Sequence, residues 1–283
     1  MKVLVTGYNG QLGYDVVKEL ISRNVECKGV DLQDFDITDN ARTMEYIKNY
    51  NPDTVVHCAA YTAVDRAEDD EETCYKVNVI GSENLAIACK EIGAKMLYVS
   101  TDYVYGGKGD APFETTDETD PKSVYGRTKL EGENAVRKHL DKYFIVRTSW
   151  VFGINGNNFV KTMLRLGAER DVLTVVDDQI GSPTYTPDLA RLICDLIVTN
   201  KYGIYHGTNE NYCSWAEFAA EIMRLGERKC EIKPVPSSEY PAKAERPLNS
   251  RLSKVCLDRA GMKRLPTWQD ALERYFKELR SEE

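Results

Sequence analysis

The chain has 283 residues with 37 Lys and Arg against 45 Asp and Glu, a formal net charge of −8, and no apolar run long enough to span a bilayer. That acidic balance excludes broad nucleic-acid binding, which needs a basic surface to neutralise phosphates, while the length allows one large α/β domain or a domain with a smaller lobe. Eight scattered cysteines without a C-x-x-C pair and three isolated histidines give a disulfide framework, a zinc site or a serine–histidine mechanism little to build on, so a cytoplasmic enzyme without a membrane partner is expected.

Lys2 to Thr6 reads as a short buried strand that runs into Gly7-Tyr8-Asn9-Gly10-Gln11-Leu12-Gly13. A G-x-x-G-x-x-G loop between strand and helix supplies a tight turn, close backbone approach to a pyrophosphate and oriented N–H groups. The helix it opens is apolar at Leu12, Val16, Val17, Leu20 and Ile21. Val25 to Val30 reads as the second strand and ends in Asp31, near the offset of about twenty residues at which a carboxylate meets an adenosine ribose. The same residue also suits a strand-end turn or a helix cap. Facing the ribose, it favours NADH over the 2′-phosphate of NADPH unless it turns away or a cation intervenes, and Lys28 is the only obvious basic neighbour in sequence. Both cofactors are admitted.

Ala41 to Asn49 and Thr73 to Ile92 read as helices around a third strand, Thr54 to Cys58, in which His57 is expected to be structural. Ala59-Ala60-Tyr61-Thr62 follows, small enough for a cofactor to approach the backbone and equally suited to ordinary packing. Met96 to Ser100 reads as the fourth strand and ends in Thr101-Asp102. Next come Tyr125 and Lys129, four apart in a predicted helix from Tyr125 to Leu140, and so on one face about one turn from each other. An ammonium beside a phenol favours its ionised form and its exchange of a proton with a carbonyl oxygen, which Thr101 is placed to hold. Spacing alone does not decide the matter, because Tyr14 and Lys18 repeat it with no Ser/Thr strand end before them.

Phe144 to Thr148 completes a strand–helix alternation that predicts a Rossmann-like, doubly wound parallel sheet over residues 1–150, with ligands at the carboxyl ends of its strands. After Trp150 a turn-rich passage, Gly153 to Asn158, and a helix from Phe159 to Arg170 begin a smaller C-terminal substrate-binding lobe, residues 151–283. A helix from Asp188 to Val198 and a strand from Gly203 to His206 make residues 186–210 a segment that returns to the main sheet. Lys233 to Ser253 holds four prolines with Lys243, Arg246 and Arg251, a loop suited to clamping a phosphate or to serving as a solvated connector.

The glycine loop, Ser100 to Gly106 and Tyr125-x-x-x-Lys129, in that order, resemble the extended short-chain dehydrogenase/reductase superfamily. Within it the chain resembles the dTDP-4-dehydrorhamnose reductase family, through Gly10 to Gly13, Ala59 to Asp65, Ser100 to Val104, Val124 to Leu130, Arg147 to Trp150 and Asn157 to Met163. The resemblance implies an NADPH- or NADH-dependent oxidoreductase that reduces the C4 ketone of a nucleotide sugar, dTDP-4-dehydro-6-deoxy-L-mannose, to dTDP-L-rhamnose, the last step toward an activated sugar for cell-surface polysaccharide. It implies Tyr125 as proton donor, Thr101 on the ketone oxygen, and Lys129 on the nicotinamide ribose. It further places Gly7, Gly10, Gln11 and Leu12 at the pyrophosphate, Asp31 at the ribose, Asp36 and Ile37 at the adenine, Ala60 and Thr62 at the middle of the cofactor, and Thr101, Asp102, Trp150 and Arg246 at the substrate. Trp150 also suits core packing.

Some members of the family form a metal-bridged homodimer through glutamates. The matching early position here is Asp15, which is shorter, so Mg2+ is not expected and a homodimer is allowed. Sugar-nucleotide dehydratases carry an Asp-Glu pair after the threonine, whereas Asp102 is followed by Tyr103, which argues against dehydration. An epimerase, a reductase of another nucleotide sugar, and a noncatalytic cofactor-binding regulatory subunit like that associated with methionine adenosyltransferase remain as alternatives.

Overall fold

The computed structural model describes residues 1–282. Its centre is a six-stranded parallel sheet of β1 (Lys2–Thr6), β2 (Glu26–Val30), β3 (Thr54–His57), β4 (Lys95–Thr101), β5 (Tyr143–Thr148) and β6 (Gly203–His206). In space the order is β6-β5-β4-β3-β1-β2. The chain therefore steps outward from β1 to β2 and then returns to the other side of β1 to lay down β3. That reversal opens a crevice above β1 and β3, between the glycine loop and Cys58 to Thr62, where an open α/β sheet takes its ligand.

Alternation along the strands assigns side chains to two helical layers. Val3 and Val5 pack with Val56, Leu97 and Val146 under α1 (Gln11–Ser22) and α6 (Thr186–Ile197). Leu4 points the other way and joins Val55, Met96, Tyr98 and Ile145 under α2 (Asn40–Tyr50), α3 and α4 (Val124–His139). The helix α3 consists of Glu71–Tyr75, a π-helical stretch Lys76–Gly81 and Ser82–Ile92, so it starts two residues before the expected Thr73 and is underwound in the middle. Of the later elements, α6 lies on α1, and β6 pairs with β5 from Gly203 opposite Phe144 to His206 opposite Arg147.

The remaining elements gather around an aromatic core of Phe152, Phe218, Trp268, Tyr275 and Phe276. They include α5 (Phe159–Glu169), α7 (Trp215–Leu225) and α8 (Trp268–Glu282). Small sheets complete this lobe, among them Val172–Val176 paired with Glu231–Val235. The proline-rich stretch expected to be a loop from Lys233 therefore opens inside a strand, with Pro234 tolerated because that strand has one partner only. All eight cysteines are unpaired, and no helix of the described residues is long and apolar enough to cross a membrane.

Candidate active site

One cavity of about 700 Å3 runs from the glycine loop, past the ends of β3 and β4, to the first turn of α4 and the lobe. The glycine loop shapes its floor. Gly7 has φ of +72°, and a Cβ there would lie 2.6 Å from the Ala59 nitrogen; one on Gly13 would lie 2.2 Å from the Gly7 oxygen. Both clashes are with backbone, so these positions admit glycine only. Gly10 caps α1 without a side-chain hydrogen bond, leaving the first-turn N–H groups at Gln11, Leu12 and Gly13, which line the cavity. A cradle of uncapped helical N–H groups fits a pyrophosphate.

Asp31, Asp36 and Ile37 line the far end, and Ala60 and Thr62 the middle. Asp31 Oδ2 accepts from the Asn9 N–H at 3.0 Å and Oδ1 from the Leu32 N–H at 2.8 Å, which turns the carboxylate into a brace for the glycine loop at the mouth of the cavity. Lys28 does not reach it, because its ammonium lies over the Tyr46 and Tyr50 rings of α2 at 5.1 and 6.0 Å. Ile37 fits against Gly81 of the π-helical stretch, where a Cβ would stand 2.6 Å from its Cδ1. His57 is structural: its ring nitrogens meet the Thr6 hydroxyl at 2.7 Å and the Ser82 hydroxyl at 3.1 Å, and burial lowers its pKa to about 3.

The reacting end is built by β4, α4 and the segment after β5. Ser123 caps α4 by accepting from the Gly126 N–H at 3.1 Å, which sets Tyr125 in the first turn with Lys129 one turn on. Thr101, at the end of β4, accepts from the Tyr103 N–H at 3.2 Å, donates to Asp102 Oδ1 at 3.0 Å, and sits against the Tyr125 phenol. Burial pushes the phenol well above its usual pKa, and the Thr101 hydroxyl opposes this in part. Tyr125 is therefore protonated at neutral pH, the state a proton donor requires.

The expected pairing of the Lys129 ammonium with the Tyr125 phenol is not what the side chains do. Lys129 Nζ donates to the Val99 carbonyl at 2.8 Å and lies 4.1 Å from the Tyr98 ring centroid. Both residues line the same cavity, but the ammonium sits deeper, under β4. Burial lowers its pKa to about 7, with Glu133 opposing.

Asp102 is buried, and its Oδ2 makes no hydrogen bond. Burial raises its pKa to about 6, an effect offset in part by the Ser250 and Thr101 hydroxyls. Trp150 lines the cavity with φ of +51°, an uncommon conformation for a bulky residue, and its indole stacks on Trp215 at 3.7 Å and 14°. A Cβ on Gly181 would stand 2.8 Å from Trp150 Cε2, so Gly181 is what lets the indole lie flat.

Arg246 is not in this cavity. It lines an adjoining one of about 280 Å3 with Lys108, Lys122 and Tyr103, the residue the two share, and it donates to Asp65 Oδ2 at 2.6 Å. Tyr14 and Lys18 lie elsewhere: Tyr14 stacks on Tyr8 and Lys18 donates to Glu278 at 2.9 Å. Asp15 takes the Thr186 hydroxyl, and no group of three or more His, Cys, Asp or Glu among the described residues is placed to hold a metal ion.

Some contributors have no local sequence signature. Asn155 Nδ2 donates to the Asn9 and Gly10 carbonyls at 2.9 and 3.2 Å, and Asn158 Nδ2 to Gln11 Oε1 at 3.0 Å, so the turn after Trp150 roofs the glycine loop. Asn78, inside the π-helical stretch, accepts from the Tyr61 N–H at 2.8 Å and donates to the Tyr61 carbonyl at 3.2 Å, fixing the loop that carries Ala60 and Thr62. Trp215 reaches the cavity from α7. Its helix start is legible, since Ser214 and Glu217 form a capping box, but its approach to Trp150 is not.

The family model described as RmlD substrate binding domain matches residues 1–281. A dTDP-4-dehydrorhamnose reductase of Aggregatibacter actinomycetemcomitans is 40% identical over 284 residues, covering 96% of this chain and 97% of that protein. The crystal structure of a dTDP-4-dehydrorhamnose reductase from Clostridium acetobutylicum superposes with a TM-score of 0.97 at 43% identity, covering 99% of this chain and 100% of that one. The corresponding enzyme of Bacillus anthracis, solved in complex with NADP, gives 0.96 at 43% identity over 98% of this chain and 100% of that one.

Proposed function

The chain belongs to the family described as RmlD substrate binding domain, and on that footing we propose that it is an NAD(P)H-dependent oxidoreductase that reduces the C4 ketone of dTDP-4-dehydrorhamnose to dTDP-L-rhamnose. The observation that carries this reading is a single cavity with an uncapped helix start and a glycine-only loop at one end and the Thr101 and Tyr125 hydroxyls at the other. When bound, the cofactor supplies the hydride that adds to C4. Gly7, Gly10, Gln11 and Leu12 would hold its pyrophosphate, Asp31 its adenosine ribose, Asp36 and Ile37 its adenine, and Ala60 and Thr62 its middle.

Tyr125, kept protonated by its surroundings, gives its proton to the ketone oxygen as that oxygen becomes alkoxide-like. Thr101 hydrogen-bonds the same oxygen, and donors fixed before the reaction stabilise the developing charge without reorganising. Lys129 meets the nicotinamide ribose and places a positive charge under the site as tyrosinate forms. Asp102, with an unused buried oxygen at the cavity, accepts from sugar hydroxyls, and Trp150 stacked on Trp215 walls the sugar. Arg246, with Lys108 and Lys122 in the adjoining cavity, meets the diphosphate. We place the reaction in the cytoplasm, which suits eight unpaired cysteines.

The test is to supply the 4-keto nucleotide sugar with NADPH or NADH, follow the loss of reduced cofactor, and identify the product. Well-folded protein that consumes no cofactor refutes the reading. Cofactor that stays bound and is regenerated while the substrate epimerises assigns the chain to another chemistry.

A further inference from the structure

Beneath the reducing end lies a buried ion pair that the mechanism above does not use. Arg147 of β5 donates through Nε to Glu133 Oε1 at 2.9 Å and through a terminal nitrogen to Oε2 at 2.7 Å. The two side chains are 3% and 0% exposed. Ser100, immediately before Thr101, donates to the same Oε1 at 2.5 Å. Behind the guanidinium, Arg147 also donates to the Tyr105 hydroxyl at 2.6 Å, and that hydroxyl meets His206 Nε2 at 2.7 Å.

Glu133 stands four residues after Lys129 on the buried face of α4, so its carboxylate lies one turn below the ammonium. The other groups that face Lys129 are His57 from β3 and Cys58 just after it, Cys74 from α3, and Tyr98 from β4. Burial pushes Cys58 to about 12, raises Cys74 and Tyr98, and holds His57 neutral. Among these neighbours Glu133 is thus the one negative charge at neutral pH, and Arg147, Ser100, Tyr98 and Tyr105 are the groups that face it in turn.

We propose that Glu133, clamped by Arg147, is a positioning residue that sets a negative charge one turn from Lys129, favouring its ammonium, and ties the Thr101 end of β4 to α4. The proposal rests on Lys129 and Tyr125 being the reducing pair. Burial alone drives Lys129 toward the neutral amine, which supplies no charge under Tyr125 and only a weaker donor to the Val99 carbonyl. The carboxylate opposes that drift, and the bidentate guanidinium holds it in place. A purely structural ion pair would leave the Lys129 titration where it is when the carboxylate is removed.

The deciding measurement is the titration of Lys129 by 13C NMR of ε-labelled lysine, assigned with Lys129→Met, in the wild type and in Glu133→Gln. The pKa is expected to fall by about one pH unit in the variant, as it does when an opposite charge nearby is removed. The alkaline limb of kcat/KM should move to lower pH by the same amount, so that the loss of activity grows with pH. Lys129 titrating as in the wild type in folded Glu133→Gln overturns the proposal, and so does a loss that is equal at all pH values. Should Glu133→Gln not fold, the double variant with Arg147→Met removes both buried charges and is expected to lower the Lys129 pKa in the same direction. The NMR titration needs no substrate, so an inactive wild type would count against the proposed reaction while the effect of Glu133 on Lys129 is still decided.

Discussion

Tyr125 and Asp102 are both pushed toward their protonated forms by burial, and they answer for it differently. For Tyr125 the neutral phenol is the working state. Tyr125→Phe is expected to reduce turnover by about 10²-fold or more, the usual scale of a lost general acid, while cofactor affinity stays within about twofold. Steady-state rates and a cofactor titration check this, and Tyr14→Phe, which changes neither, is the control. For Asp102 the cost falls on stability. Its folded-state pKa of about 6 exceeds the ordinary 3.8, so the native state binds more protons than the unfolded chain between those values. Stability therefore falls as pH rises through that window, and the full penalty, about 3 kcal/mol, is present above it. Asp102→Asn should be more stable than wild type at pH 7.5 by up to that amount, should lose the advantage below about pH 4, and should reduce turnover; denaturant melts at both pH values test it. The candidate reacting residues were legible in the sequence because Thr101, Asp102, Tyr125 and Lys129 lie at strand and helix ends with local signatures. The turning of Lys129 to Val99 was not legible, because it depends on how deeply α4 packs against β4.

At the scale of elements, the strands of the main sheet and most helices follow from apolar periodicity, and the parallel character of that sheet follows from their alternation. The π-helical stretch in α3 does not. Its residues, Lys76 to Gly81, read as ordinary helix, yet the widened turn aims Asn78 at Tyr61 and leaves Gly81 bare for Ile37. Asn78 also donates to the Thr128 hydroxyl at 3.1 Å, so one buried amide joins α3, α4 and the loop after β3. Asn78→Ala is expected to cost about 1–3 kcal/mol by leaving buried partners unsatisfied, and to weaken cofactor binding more than substrate binding, because the freed loop carries Ala60 and Thr62. A larger rise in the cofactor KM than in the substrate KM is the outcome to look for. Equal changes in both would detach the π-helical stretch from the cofactor site.

Across the whole molecule, the cavity depends on the lobe being roofed onto the glycine loop, and those contacts span about 145 residues of sequence, beyond any local pattern. Asn158 concentrates the dependence. Its Oδ1 caps α5 by accepting from the Lys161 N–H at 3.0 Å, while its Nδ2 donates to Gln11 Oε1 and, at 2.7 Å, to the Gly153 carbonyl. The two roles separate by substitution. Asn158→Ser keeps a capping oxygen and removes the amide donor, whereas Asn158→Ala removes both and costs about 1 kcal/mol more in stability. Reduced cofactor at about 100 times its Kd stabilises the wild type by about 2.7 kcal/mol, in a single cooperative transition if lobe and sheet share the site. Both variants should bind NADPH several-fold more weakly and gain correspondingly less stability at the same concentration, with Asn158→Ser nearly as stable as wild type when no cofactor is added. Calorimetric binding and thermal melts with and without NADPH measure these quantities. If Asn158→Ser binds like the wild type, the lobe covers the glycine loop without contributing to its ligand, and the cofactor site belongs to the parallel sheet alone.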